Sequence, residues 1–196
     1  MSKMFDIIKN RNLADKARKK GFEDAFVIDE DIAIITESDI KELRKKILNE
    51  RKTGRIIAVL GNNDEINRFV LKLNIDFILS PEYIRKRDFP DYRNSGLNQV
   101  LCAEAARSNI AIAFNFSDIL HLSGEEKAIR LGRMMQNARL CRKFNVPMIL
   151  ATFASSEDEL RIPEELISFG LSLGMSRIDA EKALNQIRKI NDKKKQ

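Results

Sequence analysis

Seven short apolar runs, separated by stretches of helical periodicity, set the narrowest limit on what this chain can fold into. They are Phe5-Asp6-Ile7-Ile8, Ala25-Phe26-Val27-Ile28, Ile32-Ala33-Ile34-Ile35-Thr36, Ile56-Ile57-Ala58-Val59-Leu60, Asp76-Phe77-Ile78-Leu79, Ile110 to Phe116 and Pro147 to Phe153. A strand wet on one face alternates apolar with polar residues; a strand buried on both faces does not. These runs do not alternate, so the pattern predicts a parallel sheet clothed by helices. The sheet is either open or closed into an α/β barrel, and 196 residues lie near the lower limit for a barrel. No repeat or flexible linker divides the chain. Residues 1–190 are expected to form a single α/β domain, followed by a disordered Lys-rich tail over 191–196.

Helical spacing predicts helices over 12–20, 38–51, 62–73, 97–108, 123–144, 163–173 and 176–190. Ser38 is the expected N-cap of the second, Asn62 caps the third with Glu65 inside it, and Ser123-Gly124-Glu125-Glu126 has the capping-box pattern. In the helix after Ser123 the apolar face is Ala128, Leu131, Met134, Met135, Ala138 and Cys141, with Arg133, Gln136, Arg139 and Lys143 on the wet side. Only Asp29-Glu30-Asp31 separates the second and third strands. Either they form a hairpin or a crossover helix has been lost.

Composition removes several classes. Apolar runs reach about six residues, against the ~20 a bilayer span requires. The first residues contain no signal-peptide core. Cys102 and Cys141 are isolated, which disfavours a disulfide framework or a zinc site and fits a reducing, cytoplasmic compartment. One histidine, His121, cannot build a multi-histidine metal centre. No G-x-G-x-x-G follows the first strand and no P-loop occurs, so the phosphate cradles of dinucleotide and nucleotide enzymes are missing.

The net charge is +6, and the charges come in blocks. Residues 1–20 hold seven basic and two acidic side chains, 22–40 seven acidic and no basic ones, and 41–55 seven basic and two acidic. Residues 125–143 and 177–196 are again basic. In α/β folds function sits on loops after strand C-termini. The carboxylates there are Asp64, Glu82, Asp88, Asp91 and Asp118, none at a telling spacing from a His or Cys. His121 reads as a partly packed surface residue beside Leu120 and Leu122. The loop from Ser80 to Ser95 is the richest stretch. It interleaves Arg85-Lys86-Arg87 and Arg93 with Tyr83, Phe89 and Tyr92, the residue types that neutralise phosphates and stack on unpaired bases.

Asn63-Asp64 through Arg68, Asn74 to Pro81, and Gly96-Leu97-Asn98-Gln99-Val100-Leu101 resemble the ribonuclease P component 3 family, archaeal and eukaryotic subunits of about thirty kilodaltons. Asn109 to Phe114, Arg139 to Phe144 with Val146-Pro147, and Arg161-Ile162-Pro163-Glu164-Glu165-Leu166 to Met175 continue the resemblance, which covers about residues 56–190. It implies a TIM-barrel-like (β/α) barrel, small and irregular, related to the polymerase-and-histidinol-phosphatase hydrolases. Those relatives open with a histidine-rich metal motif, whereas this chain reads Phe5-Asp6-Ile7-Ile8-Lys9. Many family members carry Asp and His where Asn98 and Gln99 stand here.

The resemblance further implies a protein subunit of archaeal ribonuclease P. In that family the RNA removes the 5′ leader of precursor tRNA with RNA-bound magnesium, and the protein pairs with protein component 2. No cofactor bound by the protein itself, no catalytic residue and no membrane association are expected. The residues expected to touch RNA are Arg68, Arg85, Lys86, Arg87, Arg93, Arg139 and Arg161. All are basic; Arg68, Arg139 and Arg161 also match the family pattern. Two other readings stand beside this one. The first is an independent metal-dependent phosphoesterase of barrel type, using Asp6, Asp64 and Asp118. The second is an α/β scaffold that binds only protein.

Overall fold

The computed structural model describes residues 3–61, 63–84, 86–89 and 91–195. All seven predicted strands form: β1 Phe5–Ile8, β2 Asp24–Val27, β3 Ile32–Ile35, β4 Ile56–Leu60, β5 Phe77–Leu79, β6 Ala111–Asn115 and β7 Met148–Ala151. The helices are α1 Ala14–Lys19, α2 Ile40–Glu50, α3 Asp64–Val70, α4 Gln99–Arg107, α5 Ser117–Leu120, α6 Gly124–Phe144, α7 Pro163–Ser172 and α8 Arg177–Lys194.

Strands β3 to β7 form one parallel sheet in sequence order, and β1 pairs in parallel with β2. Two isolated parallel bridges join these pieces into a ring, Ile8 to Ala154 and Ile28 to Ile32. The backbone bonds Lys9 N–H to Ala154 O at 2.8 Å and Asp29 N–H to Ile32 O at 2.7 Å mark the two seams. The described residues therefore form a small TIM-barrel-like barrel of seven parallel strands.

Strand pleating sorts the apolar residues into two cores. On β6, Ala111 and Ala113 point inward while Ile112 and Phe114 face the helices. The interior alternates large with small side chains: Phe5, Phe26, Phe77 and Phe153 fill the spaces left by Ala58, Ala111, Ala113 and Ala151. Because both faces are covered, every residue of β1 and β6 is buried, which explains the unbroken apolar runs.

The β2–β3 connection resolves the open choice as parallel. Asp29 takes a φ of 68°, and β3 begins at the height where β2 ends, so the chain continues upward without a return crossover. Asp31 closes the turn by accepting Val27 N–H at 2.8 Å.

Several boundaries differ from expectation. Asp39, not Ser38, caps α2 by accepting Lys41 N–H and Glu42 N–H, both at 2.9 Å. Asn63 caps α3 through Ile66 N–H at 2.8 Å, and the expected cap Asn62 lies outside the described residues. Ser123 makes no side-chain cap bond, so its capping box does not form. The Lys-rich end expected to be disordered from 191 is helical through Lys194. Lys194 Nζ bonds Arg55 O at 2.7 Å and the Asp76 carboxylate at 2.8 Å, while Ile187 and Ile190 enter the barrel core. Helix α8 thus closes the end of the barrel where the strands begin.

Candidate nucleic-acid interface

The loop between β5 and α4 is laid over α6 and held there by a side chain that the sequence reading placed in water. Arg133 is 5% exposed. Its guanidinium donates to the carbonyls of Ile84 at 2.6 Å, Glu82 at 3.4 Å and Lys86, and to the Asp88 carboxylate at 2.8 Å. Next along α6, Gln136 Nε2 donates to Arg93 O at 3.0 Å and Ser95 Oγ at 2.8 Å. Asn137 Nδ2 donates to Ser95 O at 2.8 Å and the Glu82 carboxylate at 3.3 Å. The buried stripe of α6 is therefore partly polar, and two residues expected inside, Ala128 and Met135, are exposed.

Two glycines fit this arrangement. Gly96 turns the loop into α4 at a φ of 78°, and a Cβ there would lie 2.0 Å from Pro81 O. Gly132 lets the Arg93 guanidinium rest on the helix, since a Cβ would stand 2.4 Å from Arg93 Cζ. A glycine in mid-helix marks a close approach, and it was the sequence signal that could have exposed the loop contact.

Beneath the loop, Glu82 is fully buried. Burial raises its carboxyl to about 7, and the nearby Asp118 adds to this; its own backbone N–H, the Arg130 charge and Asn137 oppose it. Arg130 lies over the Tyr83 ring at 4.0 Å, so that ring is occupied.

Above this base the loop presents its basic and aromatic residues. Lys86, Arg87, Phe89, Tyr92 and Arg93 are exposed. Arg93 and Tyr92 share a groove of about 410 Å³ with Arg68 of α3, Gln99 of α4 and Gln136 of α6. Arg139 is exposed on α6, one turn past Gln136, and neither it nor Arg68 enters an ion pair among the described residues. Lys86 is tied to Asp64 at 2.7 Å. Arg85 lies outside the described residues. Arg161 is placed elsewhere: it donates to Asp158 O at 2.7 Å and Leu160 O at 2.9 Å and lies over the Phe116 ring at 5.2 Å. The fold thus gathers Arg68 and Arg93 at one groove, with Arg87 on the same loop.

The carboxylates proposed for a metal site are held apart by separate partners. Asp6 is buried in the β1–β7 seam, where it accepts Ile7 N–H at 2.9 Å, Thr152 N–H at 2.7 Å and the Thr152 hydroxyl at 2.6 Å. Burial raises its carboxyl to about 6 against the pull of those bonds. Asp64 pairs with Lys86 at the surface, and Asp118 accepts the Ser80 hydroxyl at 3.2 Å. His121 meets Glu159 at 2.9 Å. Glu159 is held near 2: burial pushes it up, but the Ser155 N–H and hydroxyl, His121 and Ser117 outweigh that. Among the described residues no three His, Cys, Asp or Glu side chains converge as metal ligands. Asp6, Asp64 and Asp118 therefore do not form the metal site that the phosphoesterase reading requires.

Residues 33–196 match the family model described as RNase P subunit p30. Ribonuclease P protein component 3 of Methanothermobacter thermautotrophicus is 31% identical over 151 residues, covering 77% of this chain and 59% of that protein. The protein of the same name from Methanocaldococcus jannaschii is 32% identical over 162 residues, covering 82% and 66%. The chain spans about three fifths of the length of the curated relatives it matches. A chain in a cryo-EM structure of archaeal ribonuclease P with mature tRNA superposes with a TM-score of 0.75 at 25% identity, covering 97% of this chain and 80% of that one.

Proposed function

Since the chain belongs to the RNase P subunit p30 family, we propose that it is a protein subunit of an archaeal ribonuclease P, working in the cytoplasm. Its partners in this reading are the ribonuclease P RNA, precursor tRNA within the holoenzyme, and protein component 2. The RNA cuts the 5′ leader using its own magnesium ions, and the protein supplies a shaped basic surface that supports the RNA's active form. The observation that carries this reading is the Arg133 clamp. A buried guanidinium, three loop carbonyls and Asp88 fix the loop so that Arg93 stands at the groove beside Arg68, with Arg87 exposed on the same loop. Asp6, Asp64 and Asp118 each have partners of their own, and no helix among the described residues is long and apolar enough to cross a membrane.

The surface acts on phosphate. Guanidinium groups engage phosphate oxygens through two parallel N–H bonds, and each contact releases counterions from the RNA. Reconstitution tests the proposal. The isolated chain leaves precursor tRNA uncut. Added to the RNA with the other protein subunits, it restores cleavage at lower magnesium. Processing by the chain alone, or a holoenzyme indifferent to its omission, overturns the proposal.

A further inference from the structure

We propose that the stacked pair Phe89–Tyr92 is a platform for an unpaired RNA base, so that this surface recognises looped-out or single-stranded nucleotides in preference to continuous duplex. The inference rests on the RNA-binding reading above and specifies the kind of RNA element it takes.

The two rings lie 4.6 Å apart at 21°, and they are 52% and 56% exposed. The backbone that carries the pair is braced by hydrogen bonds. Phe89 N–H bonds Tyr92 O at 2.9 Å, and Asn94 N–H bonds Asp88 at 2.9 Å. Asp88 is in turn fixed by Arg133. A preformed platform spends little ordering entropy when a ligand arrives. It also differs from Tyr83, whose ring already carries Arg130.

The surroundings select the ligand. Tyr92 forms one wall of the groove that holds Arg68 and Arg93, so a base stacked on the pair places its phosphate within reach of guanidinium groups. Side-chain amides of Gln99 and Gln136 line the same groove and offer donors and acceptors to a base edge. In an A-form duplex the base faces are covered by their neighbours, and only phosphates and 2′-hydroxyls are readily met. A stack of aromatic rings is therefore used only by a base that has left the helix.

The test uses the full chain and two RNAs of equal phosphate number, a hairpin with an unpaired loop and a blunt duplex. The loop carries a fluorescent purine analogue whose emission falls on stacking. At one fixed salt concentration the native chain binds the loop RNA roughly tenfold tighter than the duplex, as one stacked base implies, and quenches the analogue. The double variant Phe89→Leu with Tyr92→Leu loses both the preference and the quenching, while a thermal melt and circular-dichroism spectrum like those of the native chain report an intact fold. Equal native affinity for the two RNAs, or a preference that survives in the double variant, overturns the platform and leaves RNA binding standing. Failure to bind either RNA removes both readings.

Discussion

Arg133 satisfies four acceptors with one buried guanidinium, and each loses that donor when it is replaced. Arg133→Leu keeps the side chain's bulk but leaves three loop carbonyls and Asp88 without that donor. Breaking a buried, hydrogen-bonded charge pair from one side costs about 3–5 kcal/mol. The expected result is a fall of that size in urea-unfolding stability, with amide exchange rising first in residues 82–94. A stability within about 0.5 kcal/mol of native would sink this account of the clamp. Glu82 and Asp6 make a second residue-scale prediction, and its sign runs opposite to the usual carboxylate. Their folded values, about 7 and about 6, lie above the ordinary 4.5 and 3.8. The native state therefore binds their protons more tightly than the unfolded chain. The stability they contribute is complete below the ordinary values and is lost as pH rises through about 6 to 7. Glu82→Gln should be more stable than native by about 3 kcal/mol at about pH 8, with the gap closing toward about pH 4. A gap that does not change with pH in calorimetric melts would refute the burial argument.

At the level of elements, α6 shows why the strands were legible and the loop's seat on this helix was not. A strand buried on both faces announces itself as an apolar run, and all seven runs became strands. The helices facing apolar neighbours were equally readable. Helix α6 instead packs against a polar loop, so its inward residues include Arg133, Gln136 and Asn137, and apolar periodicity assigns the first two to water. The β2–β3 turn escaped for a different reason. Two parallel strands joined by a few residues are possible only when the second starts where the first ends, a register that no residue type records. Gly132 turns this reading into a prediction. Gly132→Ala removes a poor helix former, which favours the helix by up to about 1 kcal/mol. Its Cβ, however, would stand 2.4 Å from Arg93 Cζ, so the guanidinium must leave its seat. Stability should hold or rise slightly while RNA affinity falls several-fold. A variant that binds RNA as tightly as native would show that Arg93's seat on α6 does not matter for binding.

For the molecule as a whole, the charge blocks of the sequence fold against one another, and this decides which basic residues remain for RNA. The acidic run 22–40 does not stay a separate patch: Glu23 takes Lys3 at 2.6 Å, Glu30 takes Arg11 at 2.5 Å, Asp24 takes Arg18 at 2.8 Å and Glu37 takes Lys46 at 2.8 Å. Lys16 is taken by Glu157. Much of the basic N-terminal block is thereby matched, and the excess falls to surfaces such as the loop 81–95 and its flanking helices. Among the described residues of that region, Arg68, Arg87, Arg93 and Arg139 are exposed with only a 3.7 Å approach of Arg93 to Asp88 among them, whereas the exposed Arg107 and Arg142 are paired with Glu104 and Asp179. Four phosphate contacts give a slope of about −3 to −4 in log affinity against log salt. Replacing Arg68 and Arg93 by Ala together should reduce the slope by about two. Replacing the paired Lys3 and Arg11 should leave it within about half a unit, because those charges already have partners and release few counterions on binding. The measurement is fluorescence-anisotropy titration of the ribonuclease P RNA across a salt series. If the N-terminal pair lowers the slope as much as the groove pair does, RNA binds across the basic faces generally and the loop between β5 and α4 is not its centre.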